Sequence, residues 1–323
     1  MKIRKKVLTI VVFVFFTFVV LNILPKNSYE LTNPNVWLKT SNDDKPLVIS
    51  HGGGLSKNPG NTMRAFQYSF DIGVDVLEMD VQMTSDNILV LRHGDNETGN
   101  IRSLSNCDTV VWNETYDYLY NNCNFGYNYT DNDGNNPYKD MTKEEWIDSK
   151  VYLTTLEELF ILFGDTILYN IEIKSDADAQ RLETADELYY LIDKYDLFDN
   201  VLVATSFSDI STYINETYSE MYLSTSHDEA QSFIIKTYAL SSVFYKPDGY
   251  STVQIPTTFG VPVISKLNLA TKLLINTAHR HNMAVHYWTI NDEDIMRELI
   301  ELGCDGIITD YPETLIELLK EYS

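Results

Sequence analysis

The sequence predicts an α/β fold: a TIM (β/α)8 barrel with a rim insertion, preceded by one N-terminal transmembrane or signal helix. Three observations carry this. Short β-rich runs alternate with longer helix-like segments nearly to the C terminus, the pattern of a parallel sheet covered by helices. Roughly eight such units in about 280 residues match the usual size of the closed barrel. Several strand candidates also end in polar residues, on the rim where a parallel barrel carries its chemistry.

The chain of 323 residues opens on a basic flank (Lys2, Arg4, Lys5, Lys6) and an uninterrupted apolar run from Val7 to Leu24. That length is expected to reach across a hydrocarbon core. Residues 1–25 therefore read as a membrane anchor or signal segment. The anchor is favoured because small residues spaced for a signal peptidase are missing from "NILPKNSYE". The expectation is a catalytic domain outside the cytoplasm, either anchored to the membrane through this helix or secreted after cleavage. Residues 26–45 read as a linker and 46–323 as the barrel.

Within the barrel the strand candidates are "PLVISH" (46–51), "VDVLEMDVQM" (74–83), "NILVLRH" (87–93), "ILYNIEIK" (167–174), "NVLVATS" (200–206), "EMYLST" (220–225), "SVFYK" (242–246), "VPVI" (261–264), "AVHYWTI" (284–290) and "GIIT" (306–309). Helical periodicity lies between them at 61–73, 155–164, 176–195, 267–282 and 292–303. Gly73, Gly164 and Gly303 each follow an apolar-periodic run, where a left-handed cap is expected. From 94 to 150 the chain turns polar and aromatic, too long for an ordinary connection and read as an insertion on the rim. It is either a self-packed loop or a lid presenting Trp112, Tyr116, Tyr118, Phe125, Tyr127 and Tyr129 to an amphiphilic substrate.

Composition narrows the partners. Setting aside the four basic residues of the leader, 24 less 4 leaves 20 Lys+Arg against 47 Asp+Glu, a charge of −27. Such a surface repels nucleic acid. Of three cysteines, Cys304 reads as a buried thiol. Cys107 and Cys123 sit in the polar insertion, where an oxidising compartment permits a bridge that spacing alone does not establish.

The chemistry gathers at strand ends. His51 closes the first strand and His93 closes "NILVLRH". Glu78 and Asp80 stand two apart in "DVLEMDVQM", so the strand period puts both carboxylates on one face, and Glu172 and Lys174 repeat that spacing in "NIEIK". Charges inside apolar strands must be paired, metal-bound or catalytic. Three carboxylates and one lysine do not neutralise one another, whereas a divalent cation, Mg²⁺ or Ca²⁺, accepts carboxylate ligands and keeps positions open for water or phosphate. Two histidines across such an ion suit acid and base work near neutral pH. A glycoside hydrolase would instead set its two carboxyl groups on opposite sides of a bond.

The stretches "ISHGGG", "NPGNTMRAF", "GVDVLEMDVQMTSDNILVLRH", "LTTLEELF", "NIEIKS" and "VHYWTINDEDIMRELIELGCDGIITDYPETL", in this order and spacing, resemble the glycerophosphodiester phosphodiesterase family over nearly everything after residue 45. The resemblance implies a TIM barrel that cleaves glycerophosphodiesters to glycerol 3-phosphate and an alcohol with a divalent cation. It implies Glu78, Asp80 and Glu172 as metal ligands and His51 and His93 as the acid–base pair. Lys174 would hold a phosphate oxygen and Trp288 would line the substrate side. Deacylated phospholipids, lysophospholipids (a lysophospholipase D-type reaction) and glycerophosphate polymers are the candidate substrates, with a non-catalytic phosphodiester-binding barrel as the rival from another class.

Three departures stand out. The family's His-Arg-Gly is His51-Gly52-Gly53, so a phosphate-gripping arginine is absent. Its Pro-Glu-Asn-Thr is Pro59-Gly60-Asn61-Thr62, which removes a carboxylate, and Gly94 separates His93 from Asp95. A bidentate arginine contact is worth about 1.5–3 kcal/mol. Its replacement is expected to fall to backbone N–H groups of Gly52 and Gly53, Lys174 and the metal.

Overall fold

The computed structural model describes residues 2–23, 34–39, 45–94, 99–174, 181–260 and 266–322. Eight strands are consecutive and parallel: β1 Leu47–Ser50, β2 Val76–Met83, β3 Leu168–Ile173, β4 Val201–Ala204, β5 Tyr222–Ser224, β6 Tyr250–Ile255, β7 Ala284–Tyr287 and β8 Gly306–Thr309. β1 pairs with both β8 and β2, which closes the barrel. A short strand, Leu89–Leu91, runs antiparallel along the end of β2.

The period of two along each strand divides the core. Val48, Leu77, Ile171, Val203, Leu223, Val253, Val285 and Ile307 face outward and pack against the helical layer. Their neighbours Ile49, Val76, Leu202, Tyr222, Ala284 and Ile308 face the lumen. The lumen is closed from below by residues 34–39, within the stretch read as linker. Trp37 is buried against Tyr222 and His286, and Asn35 Nδ2 donates to Ser251 O and Asn282 O, both at 2.8 Å. The opposite, C-terminal end of the strands is left for the site.

His286 is fully enclosed by this packing, and burial drives its pKa from 6.5 down to about 4 against the pull of Asp305. The unfolded chain therefore binds a proton below pH 6.5 that the folded chain refuses. The contribution is intact above pH 6.5 and is lost as pH falls toward 4, by about 3 kcal/mol. Denaturant titrations between those pH values should show this extra slope in the wild type, and a His286→Gln variant should lack it.

Local signals explain most boundaries. Thr62 and Thr155 cap the helices Met63–Ile72 and Leu156–Phe163, the latter through a capping box with Glu158. Gly73 and Gly303 adopt the left-handed conformation at helix ends, whereas Gly164, at φ 52° and ψ −135°, does not. The sixth barrel strand is Tyr250–Ile255, not "SVFYK", which holds a 3-10 turn at Ser242–Phe244. "VPVI" lies outside the described residues. Ser251, Thr252 and Gln254 make the true strand read like a loop.

The N-terminal apolar run is helical, Lys2–Ile23, with Val7 and Ile10 through Phe16 exposed. Among the described residues, however, no helix is long and apolar enough to cross a membrane.

The insertion folds on itself. Helices Tyr116–Asn122 and Lys143–Asp148 gather two small apolar clusters, one around Leu119, Cys123 and Phe125, the other around Tyr138, Trp146 and Val151. Cys107 and Cys123 are joined by a disulfide, and Cys304 is a buried free thiol.

Candidate active site

Register places the acidic groups. In the β2–β3 ladder Asp80 pairs with Glu172 and Glu78 with Asn170, so carboxylates from adjacent strands share the inner face. One oxygen from each of Glu78, Asp80 and Glu172 lies within 4.8 Å of the others. Glu78 Oε2 accepts from the Gly52 N–H at 2.7 Å, and Asp80 Oδ2 accepts from Asn61 Nδ2 at 2.9 Å. Asn61 Oδ1 in turn accepts from the Asp80 N–H, fixing that strand segment.

These carboxylates crowd one another. Burial pushes Glu78 up to about 8 in spite of His51, with Asp80 and Glu172 adding to the rise. Burial also raises Glu172 against the opposing Lys174. A set of three carboxylate oxygens, mostly buried and crowded together, fits a hard divalent cation. Glu78 and Glu172 open onto a cavity of about 570 Å³, so positions on such an ion would face solvent or substrate.

Both histidines line that cavity. His51 begins the 3-10 turn after β1, and its Nδ1 lies 2.6 Å from Asp310 Oδ1, just beyond β8. Burial opposes a charge on His51, but Glu78, Asp310 and Asp80 outweigh it and hold the imidazole up at about 9. It therefore carries its proton at neutral pH. His93 Nδ1 lies 2.6 Å from the Gly94 carbonyl. A carbonyl only accepts, so Nδ1 carries a hydrogen and Nε2 is the ring nitrogen left to face the cavity.

Lys174 follows β3 directly, its Nζ 3.0 Å from Glu172 and 3.9 Å from Asp80. Trp288 follows β7 and lines the cavity, half-exposed. The glycine run also serves the packing of the site. The Gly52 N–H is committed to Glu78, and a Cβ on Gly53 would lie 2.9 Å from the Ala65 backbone, so glycine lets the first covering helix pack close. Leu55 lies against both Gly52 and Gly60. A Cβ on Gly60 would fall 1.9 Å from Leu55 Cδ2, and one on Gly52 would fall 3.2 Å from it. Among the described residues of 94–150, none lines the cavity.

Three site residues went unmarked in the sequence. Asn61 and Asp310 lie in stretches already singled out, and the strand-end rule would have found Asp310. Arg92 gave no signal, because an arginine beside a short strand ordinarily faces water. It is instead buried, its Nη1 3.4 Å from Gly60 O and its guanidinium 5.0 Å from the centre of the Phe125 ring. Burial lowers it to about 9 while Asp80 pulls the other way. Its Nε and Nη2 have no hydrogen-bond partner among the described residues.

The closed parallel barrel carries two histidines and a carboxylate triad at its C-terminal rim, a set suited to a phosphoric diester hydrolase. Residues 51–314 match the model of the glycerophosphoryl diester phosphodiesterase family, and the chain belongs to that family. A glycerophosphodiester phosphodiesterase of Caldanaerobacter subterraneus subsp. tengcongensis is 27% identical over 290 residues, spanning 86% of this chain and 99% of its own. A human lysophospholipase D is 25% identical over 296 residues, spanning 85% and 86%. The glycerophosphoryl diester phosphodiesterase domain of a Mycobacterium tuberculosis protein superposes with a TM-score of 0.68 at 16% identity, covering 86% of this chain and 100% of that one. An Oleispira antarctica phosphodiesterase, solved with the product sn-glycerol-3-phosphate, does so at 0.62 and 17% identity, covering 85% and 97%.

Proposed function

We propose that this chain hydrolyses glycerophosphodiesters to glycerol 3-phosphate and an alcohol, with a divalent cation, Mg²⁺ or Ca²⁺, held by Glu78, Asp80 and Glu172. The observation that carries the reading is one cavity lined by Glu78, Glu172, a protonated His51 and His93, with an Asp80 oxygen within 4.8 Å of both glutamates. The bound ion would supply Lewis acidity to a phosphoryl oxygen and lower the pKa of a coordinated hydroxyl or water.

The chain's own residues then divide the proton work. His93 Nε2 takes the proton of the attacking hydroxyl. His51, held protonated and oriented by Asp310, donates from Nε2 to the leaving alkoxide, which cannot depart unprotonated near pH 7. Lys174 has three donors, and those not turned to Glu172 are free for a phosphate oxygen. Part of the role of the missing arginine falls to it.

A lysophospholipase D-type reaction is the second reading. It is favoured by the apolar wall of Ala230, Ile234, Phe259 and Trp288 around the cavity and by the human relative's name. The first test is release of glycerol 3-phosphate by the full chain from a glycerophosphodiester in the presence of Mg²⁺ or Ca²⁺. Binding of the diester without turnover over hours would overturn the reading.

A further inference from the structure

Beneath the carboxylate triad, polar side chains from three strands form the cavity floor. Asn170 precedes Glu172 by two on β3, on the same inner face, and pairs in register with Glu78. Ser224 ends β5, Thr225 follows it, and Gln254 comes from β6. All four line the cavity. Asn170, Ser224 and Thr225 are only 2%, 1% and 7% exposed, yet Asn170 Oδ1, Ser224 Oγ and Thr225 Oγ1 have no hydrogen-bond partner among the described residues. The Gln254 amide nitrogen makes only a long contact, 3.4 Å, with His286 Nδ1.

Buried polar atoms without partners cost stability, and native proteins keep few of them. Three together in one cavity call for a ligand that pairs with them. The set is neutral and mixes donors with acceptors, which is the chemistry of an alcohol group that both donates and accepts. A quaternary ammonium or a methylene chain would leave the oxygens unpaired, the kind of mismatch that sites built for hydroxyls reject most strongly.

We propose that Asn170, Ser224, Thr225 and Gln254 form a hydroxyl-binding subsite that selects deacylated glycerophosphodiesters over their acylated counterparts. The inference rests on the hydrolytic reading above and decides between its two substrate classes. An acyl group on glycerol removes a hydroxyl and brings methylenes toward this floor. The apolar wall stands beyond the strand ends and contacts whatever projects from the cavity.

The test pairs glycerophosphoethanolamine with lysophosphatidylethanolamine, on wild type and on a Ser224→Ala/Thr225→Val double variant. The wild type should prefer the deacylated diester by about tenfold or more in kcat/KM, and the double variant should lose most of that preference. Because the substitutions remove unpaired buried oxygens, the variant should melt at the same temperature as wild type or higher. A structural role for these hydroxyls would lower it instead. Equal rates on the two substrates, a preference for the lysolipid, or a preference that survives the double substitution would overturn the proposal.

Calorimetry separates failure of the subsite from failure of the hydrolytic reading. If neither diester turns over, the hydrolytic reading fails. The subsite is then judged by binding of glycerol 3-phosphate against methyl phosphate, which has the same charge and no hydroxyls. Wild type should favour the former by about tenfold and the double variant should not. Equal affinities in wild type would end the proposal.

Discussion

Glu172→Gln is expected to lower kcat/KM on a glycerophosphodiester roughly a thousandfold, ~4 kcal/mol, while leaving the fold intact. The side chain keeps its shape but loses the charge that closes the triad on the β3 side, so the cation would be held by Glu78 and Asp80 alone. Stability should behave differently from activity. Burial already disfavours the Glu172 carboxylate, and Lys174 retains Asp80 at 3.9 Å. The melting temperature should therefore stay within about 3 °C of wild type. A variant that unfolds, or one that keeps more than a tenth of the activity, would show that Glu172 serves the barrel and not the reaction.

The second large effect is expected at His51. His51→Gln should cost about 10²- to 10⁴-fold on a substrate with an alkyl leaving group. With a p-nitrophenyl leaving group, which departs without a proton, the loss should shrink to about tenfold. His93→Gln should be equally damaging on both substrates, because base removal does not depend on the leaving group. The pH profile provides a second check. His51 is protonated below its pKa and acts as the acid in that form, so activity on the alkyl substrate should fall as pH rises through it. That limb is expected at or below about 9, since a cation between Glu78 and Asp80 weakens their pull on the imidazole. It should be missing in His51→Gln. Rescue of His93→Gln, and not of His51→Gln, by the activated substrate would reverse the two assignments.

The barrel was legible because parallel strands announce themselves as apolar runs, and the triad because charges inside such runs are rarely idle. Tyr250–Ile255 escaped for the same reason. Thr252 and Gln254 face inward on the polar side of the barrel, so their strand lacks the apolar signature. Arg92 shows a second limit. Nothing local distinguishes a surface arginine from one enclosed between Gly60 and Phe125, because its burial depends on an insertion that packs from outside the barrel. The aromatic residues of that insertion suggested a lid, yet aromatic side chains equally build small cores, and those around Tyr138 and Trp146 do so.

Leu55 occupies the volume beside both Gly52 and Gly60. Cationic charge near the site comes from Lys174, His51 and buried Arg92.

The central claim is that the triad works through a bound cation on a glycerophosphodiester. The most direct measurement is glycerol 3-phosphate release by the full chain before chelation, after it, and after adding back Mg²⁺ or Ca²⁺. The account predicts turnover that disappears with the chelator and returns with at least one of the two ions. Turnover that continues undiminished in the chelator would contradict it.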